Sequence, residues 1–182
     1  MRVRRIWLKG TSGAGKTTLG RALSRTLGVP FVELDALHHG PNWAEAPVAE
    51  FQASVGSALD DERGWVVDGN YDSKLGARFL DRAELVVWLD LPLGLKLVRL
   101  THRTVGRVLK DETLWNGNRE SLATAVLGWD ALFPWTVRQH FRHRRAWPTE
   151  LRHPALVRLR SPREVEAWRR EFEARERATA AG

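Results

Sequence analysis

The side chains in this sequence best suited to chemistry are Lys16 and Thr17, the carboxylates of Asp35, Asp68 and Asp90, and the guanidinium groups of Arg99, Arg103, Arg107 and Arg119. Together they suit the holding of phosphate groups and a divalent cation beside an oxygen acceptor. Lys16 and Thr17 close the run Gly10-Thr11-Ser12-Gly13-Ala14-Gly15-Lys16-Thr17, which meets the pattern G-x-x-x-x-G-K-[ST] at every required position. The glycines let the backbone turn tightly and approach a polyphosphate, and the following helix adds the positive end of its dipole. The phosphate-binding set is then Gly10, Ser12, Gly13, Ala14, Gly15, Lys16, Thr17 and Thr18. Lys16 reaches the outer phosphates and the Thr17 hydroxyl is placed to ligate Mg²⁺. These residues imply binding of a nucleoside triphosphate.

The flanks fit that motif. Val3 to Leu8 reads as a short apolar strand interrupted by Arg4 and Arg5. Leu19, Ala22, Leu23, Thr26 and Leu27 then fall at the spacing of a buried helix face, with Gly28 as its stop. Val29 to Leu34 reads as a second strand ending at Asp35, which a parallel sheet would aim into the same crevice. A carboxylate there accepts a proton from a substrate hydroxyl or fixes a polar group; as a helix N-cap it would do neither. His38 and His39 precede the loop Gly40-Pro41-Asn42-Trp43, which makes His38 either a substrate-loop residue or plain surface.

Pro47 opens a helix with Val48, Phe51, Val55 and Leu59 as its buried stripe. Trp65 to Tyr71 reads as a third strand running into Asp68-Gly69, and Leu85 to Asp90 as a fourth that also ends in an acid. Asp68 and Asp90 therefore compete for the metal role. No glutamate follows either one, which argues against a pure hydrolase. In the helical stretch Leu93 to Leu109, Arg99, Arg103 and Arg107 share one face, with Leu93, Leu97 and Leu100 on the other side. No acidic residue lies between Asp90 and Asp111, so the row has no i,i+4 partner. It reads as a set of clamps on a transferring phosphoryl group, or as a solvated face.

The polar insertion from Asp111 to Ser121 contains Asn-Gly-Asn and reads as part of a mobile lid spanning about residues 99–121, with Arg119 as its candidate cation. A helical stretch follows from Leu122 to about Arg145, broken near Pro134. It ends in Arg138-Gln139-His140-Phe141-Arg142-His143-Arg144-Arg145 between Trp135 and Trp147. That interleaving suits single-stranded nucleic acid, closure over a nucleotide, or a solvated helix. Ala155 to Leu159 is a fifth strand. Ser161-Pro162-Arg163-Glu164 is a capping box opening a last helix buried through Val165, Trp168 and Phe172.

At 182 residues the chain is expected to form one domain over 1–182. It has no cysteine, hence no disulfide or thiolate metal site. No apolar run reaches membrane-span length and no secretory leader is evident, so no membrane partner is expected and the cytoplasm is the default. The formal charge of +7 comes from 24 Arg against 5 Lys, which suits bidentate phosphate recognition.

Strands alternating with helices, and a glycine loop after the first strand, give a doubly wound α/β arrangement. The chain resembles the P-loop kinases (a class of P-loop NTPases) of the adenylate kinase and shikimate kinase type. Within them it is similar to the small bacterial proteins called FlaR-like, DNA topology modulation protein or putative adenylate kinase. The resemblance rests on Gly10 to Thr17, Leu34-Asp35-Ala36-Leu37, Asp68-Gly69-Asn70-Tyr71, Leu89-Asp90-Leu91-Pro92 and Leu159 to Val165. It implies a five-stranded parallel sheet in the order 2-3-1-4-5, helices on both faces and a helical lid. It also sets Asp68 beside the loop strand, ahead of Asp90 for Mg²⁺, and makes Asp35 a substrate-binding or base aspartate.

Adenylate kinases follow Asp-Gly with Phe-Pro-Arg, whereas Asn70-Tyr71-Asp72-Ser73-Lys74 stands here. Asn70, Tyr71 and Lys74 therefore join Asp35 and His38 as substrate-contact candidates, Lys74 as a point charge rather than a fork. The implied activity is ATP-dependent phosphoryl transfer to a small acceptor, a nucleotide or nucleoside among the candidates. Its catalytic residues would be Lys16, Asp35, Arg103 and Arg119, with ATP and Mg²⁺ bound. The alternatives are a nucleotide-switched nucleic-acid-binding protein using Arg138 to Arg145, and a polynucleotide 5′-end kinase.

Overall fold

Two strand segments that are apolar on both faces, Trp65–Asp68 and Leu85–Leu89, are buried along their whole length, as strands covered by helices on both sides must be. They flank β1 (Arg5–Lys9) as β3 and β4, with β2 (Phe31–Glu33) and β5 (Leu156–Leu159) at the edges. The sheet is five-stranded and parallel in the order β2-β3-β1-β4-β5, the expected arrangement. The computed structural model describes residues 3–111, 113–118 and 131–181. Arg119 and the proposed helical stretch over 122–130 lie outside them. The helices are α1 (Lys16–Leu27), α2 (Leu34–His38), α3 (Val48–Ala58), α4 (Asp72–Leu75), α5 (Ala77–Leu80), α6 (Leu93–Leu109), α7 (Leu132–Glu150) and α8 (Pro162–Ala181). No helix among the described residues is long and apolar enough to cross a membrane.

Alternate side chains of the strands feed two separate cores. Trp7, Val67, Val86 and Trp88 pack with Leu34, Phe51, Val55, Leu75 and Trp147 on one face. Ile6, Leu8, Val66 and Val87 pack with Leu19, Leu23 and Leu27 on the other, where Val165, Trp168 and Phe172 of α8 close the layer. The chain reverses its direction of winding at β1, so the crevice at the carboxyl ends of β1, β3 and β4 is the place this topology offers to a ligand.

Three local readings of the sequence change. Asp35 lies in the first turn of α2, not at a strand end or an N-cap. Leu34 is fully buried, and a side chain on Gly69 would meet it at 2.7 Å, so the chain turns one residue early to seat it. Val48 is exposed, and the stripe of α3 holds only from Phe51 onward. On α6 the buried face is Lys96, Leu100 and Thr104, while Leu93 and Leu97 are half-buried. Lys96 takes the core position because its amine reaches Nδ1 of His140 on α7 at 2.7 Å. α7 starts at Leu132 after an extended Ala131, in agreement with a break near Pro134, and the proline sits in the first turn, where its missing N–H has no intrahelical partner to lose.

Burial, ahead of the opposing charge of Asp90, pulls the Lys96 amine down to about 8. An unfolded lysine still holds its proton between that value and about 10.4, so stability rises with pH across the interval. The predicted gain is on the order of 3 kcal/mol. Urea melts of the wild type and Lys96→Met between pH 7.5 and 9.5 test this. The wild type should gain stability relative to Lys96→Met, and parallel pH curves would show that Lys96 is not the cause.

Candidate active site

The loop between β1 and α1 is shaped by two glycines. Gly15 is the N-cap of α1 at φ +91°, with no side chain capping it, so the first amides of α1 stay open to a ligand. Gly13, at φ +75°, lies under α6, and a Cβ there would sit 2.3 Å from the Lys96 carbonyl oxygen. Ser12, Gly13, Ala14, Gly15, Lys16, Thr17 and Thr18 all line one large cleft. Gly10 does not, against expectation. Its N–H donates to Asn70 Oδ1 at 3.1 Å and its carbonyl accepts from Asn70 Nδ2 at 2.8 Å.

Asp68 ends β3 level with Leu8 of β1. The Thr17 hydroxyl donates to Asp68 Oδ2 at 2.9 Å, and Lys16 Nζ lies 3.4 Å from Oδ1. Burial raises the Asp68 carboxyl above the ordinary range, with Lys16 opposing. A buried carboxylate facing a hydroxyl at the mouth of a phosphate loop fits Mg²⁺, which uses one or two protein oxygens and completes its shell with water and phosphate. Its rival, Asp90, is engaged elsewhere. Arg144 Nε approaches Asp90 Oδ1 at 3.2 Å and Arg158 donates to Oδ2 at 2.7 Å, tying β4 to α7 and β5.

Across the cleft, Asp35 is exposed and accepts a 2.7 Å hydrogen bond from the Tyr71 hydroxyl. Burial, then the Asp35 charge, holds that hydroxyl firmly protonated. The Tyr71 ring rests on Phe51 and on His38. His38 is 1% exposed and is a support rather than an open contact. Lys74 Nζ donates to His38 Nε2 at 2.6 Å and to Glu45 Oε2 at 2.7 Å. Burial and the Lys74 charge lower the His38 pKa, so the ring accepts as the neutral form. Lys74, expected to face a substrate phosphate, is thus committed to Glu45, and the Asn70 amide to Gly10.

Arg99, Arg103 and Arg107 all border the cleft, as their spacing predicts. Arg99 comes nearest the loop, its Nη1 3.5 Å from where a Gly15 Cβ would stand. Two asparagines dock the turn after α6 on the loop before α3. Asn116 Nδ2 donates to the His39 carbonyl at 2.6 Å, while Asn118 Nδ2 donates to the Gly40 carbonyl at 2.9 Å. The basic segment of α7 does not form one continuous charged surface. His140 is buried on Lys96, Arg144 holds Asp90, and Trp147 is buried in the core, leaving Arg142 and His143 toward the cleft.

Sequence reasoning missed Lys9, which is fully buried at the end of β1 and ion-paired with Asp72. The available signal was a lysine closing an otherwise apolar strand. The whole cleft encloses about 2250 Å³, well beyond the roughly 1,000 Å³ upper range of a single small-molecule pocket, so it has room for two ligands.

A family model described as shikimate kinase matches residues 12–58. The chain is 30% identical over 121 residues to the shikimate kinase of Halorhodospira halophila, covering 59% of this chain and 68% of that one. A stronger local match, 64% over 31 residues, joins it to the shikimate kinase of Bacteroides fragilis but spans only 17% of either protein. Among solved structures, Acinetobacter baumannii shikimate kinase in complex with shikimate superposes with a TM-score of 0.60 at 19% identity, covering 94% of this chain and 92% of that one. A Sinorhizobium meliloti gluconokinase gives 0.55 at 20% identity, covering 98% and 94%. At such identity the structures speak for the fold alone.

The Asn70 contacts generate a prediction. Asn70→Ala removes two hydrogen bonds and leaves the buried Gly10 N–H unpaired, a loss of roughly 1–3 kcal/mol. Titration calorimetry should show Mg-ATP binding weakened about tenfold or more. Unchanged nucleotide affinity would return Asn70 to the substrate-contact set.

Proposed function

The chain belongs to the shikimate kinase family, and from that premise we propose an ATP-dependent phosphotransferase acting on a hydroxyl of a small polyhydroxy acceptor. The observation that carries this reading is a single cleft lined both by the Lys16–Thr17–Asp68 corner and by an exposed Asp35 held by Tyr71. Phosphate donor and hydroxyl acceptor then meet between them.

In this reading the loop amides from Ser12 to Thr18 bind the outer phosphates, and Lys16 spans them as a point charge. Thr17 and Asp68 hold Mg²⁺, which when bound neutralises charge on the phosphate oxygens. Asp35 accepts the hydrogen bond of the acceptor hydroxyl and takes its proton as the new O–P bond forms and the bond to ADP breaks. Tyr71 fixes the orientation of that carboxylate, so the acceptor meets a single geometry. Arg99, Arg103 and, on the lid proposed for about residues 99–121, Arg119 offset the charge spread over the transferring group. No protein nucleophile is required. The chain acts as one unit over 1–182.

The acceptor half favours a polyol over a nucleotide. Its lysine is neutralised by Glu45, and the segment after Asp68-Gly69 carries no arginine fork for a nucleotide phosphate. Family membership puts shikimate first, and the likeness to a gluconokinase puts gluconate second.

ADP release with Mg-ATP against shikimate, gluconate, nucleoside monophosphates and a 5′-hydroxyl oligonucleotide tests the proposal. Shikimate or gluconate should stimulate release well above the rate without acceptor. Lys16→Ala should lower that rate by about a hundredfold or more. Asp35→Asn should lower kcat by about 10²–10⁴ while the Kd for ATP stays within a few-fold. A flat panel with ATP still bound would remove the kinase reading, and oligonucleotide binding that falls steeply with salt would favour the nucleic-acid alternative.

A further inference from the structure

One residue of the basic stretch on α7 is built into the cleft without being used by the mechanism above. The His143 ring stacks on Trp147 with centroids 3.8 Å apart and planes 12° apart. Trp147 is itself buried and set edge-on against Trp88 of β4 at 5.3 Å, so the histidine stands on a fixed platform. His143 borders the same cleft as Lys16, Asp35 and Tyr71. It makes no hydrogen bond with any described residue, and its Nδ1 is buried without a partner. A buried unpaired N–H is rarer and costlier than a buried lone pair. The proton therefore belongs on Nε2, the edge not walled in by protein, as a donor directed at whatever fills the cleft.

We propose that His143 is a catalytic-site residue whose Nε2–H donates a hydrogen bond to an oxygen of the phosphoryl acceptor. The inference rests on the kinase reading given above. Charge supports it. Burial first, then Arg142, Lys9, Lys96 and Lys16, push the imidazole down to about 3, so the ring is neutral at any working pH. A neutral donor among cations adds a directional contact to an acceptor oxygen without adding another positive charge beside the phosphates. The stacked ring also offers a flat wall, which suits a cyclic or extended polyol more than a bulky polymer.

The test uses shikimate or gluconate, whichever the panel selects, with His143→Phe and His143→Gln. His143→Phe keeps the stacking and loses the donor, so KM for the acceptor should rise about tenfold or more while KM for ATP stays within about twofold. His143→Gln restores a donor and should recover most of that loss. If His143→Phe fails to melt cooperatively, ¹⁵N imidazole spectra of the wild type serve in its place, where adding the acceptor should shift the His143 Nε2–H signal. An unchanged acceptor KM in a folded His143→Phe, an equal loss for both substrates, or an unmoved signal would overturn the assignment while leaving the kinase reading intact. A wild type that no acceptor stimulates defeats the kinase reading itself, and this inference with it.

Discussion

The amide of Asn70 spans both backbone groups of Gly10, and the geometry of the cleft depends on that two-point contact. It is the central member of a strap running from Asp68 to Lys74. Trp7 Nε1 donates to the Gly69 carbonyl at 3.0 Å, Lys9 pairs with Asp72, and Asp68 accepts from Thr17. Those contacts bind the strap to β1 and the phosphate loop. Tyr71 and Lys74 bind it to Asp35, His38 and Glu45 on the acceptor side. The chain leaves β3 at Asp68 and turns into α4 at Asp72, so the side chains of one short stretch face two different loops. The phosphate corner and Asp35 are therefore held to the same strap, one through Asp68 and the other through the Tyr71 hydroxyl.

Buried charge plays a second structural role, on the α7 side. Asp90 is 2% exposed and shared between Arg144 and Arg158, with Arg158 lying over the Trp88 ring at 4.0 Å. Lys96 and His140 form a second buried polar contact between α6 and α7. Such pairs add little net stability over apolar packing, because desolvation offsets most of the attraction, but breaking one leaves a buried charge uncompensated. Their effect here is positional. They allow one register of α7 against the sheet, and that register carries His143 and Arg142 to the cleft.

Elements dominated by one strong local rule were legible in the sequence. The glycine loop, the β1–α1 unit and the burial of β3 and β4 follow from motif and apolar runs, and the Ser161 capping box is present as written, with the Glu164 N–H on Ser161 Oγ at 3.2 Å. Reading was incomplete where a polar side chain had also been given an inward structural role. Asn70 and Lys74 have the chemistry of substrate contacts, and nothing in their spacing says that a carbonyl on Gly10 or a carboxylate on Glu45 already occupies them. Lys96 broke the expected stripe of α6 because periodicity scores a lysine as surface, whereas His140, 44 residues away, makes a buried amine tolerable. The tryptophans around the α7 arginines suggested stacking on bases, and Trp147 instead stacks on His143 from within the core. In each case the deciding partner is distant in sequence and polar, which is the information that local pattern lacks.

The strap also constrains where the site can move. Asp35, Tyr71, Asp68 and the loop are joined through it, and the arginine-bearing helix lines the same cleft. Within α6 the first half is held down by the Lys96 amine on His140 and by the Lys96 carbonyl over Gly13. Beyond Thr104 the helix exposes Val105 and Leu109, as it exposes Val98 in the first half. Arg99 lies over Gly15 at the phosphate loop, while Arg103 and Arg107 border the cleft one and two turns farther along α6. The every-fourth-residue spacing that makes the three arginines look equivalent thus conceals a difference in reach, since it is Arg99 that meets the loop at Gly15.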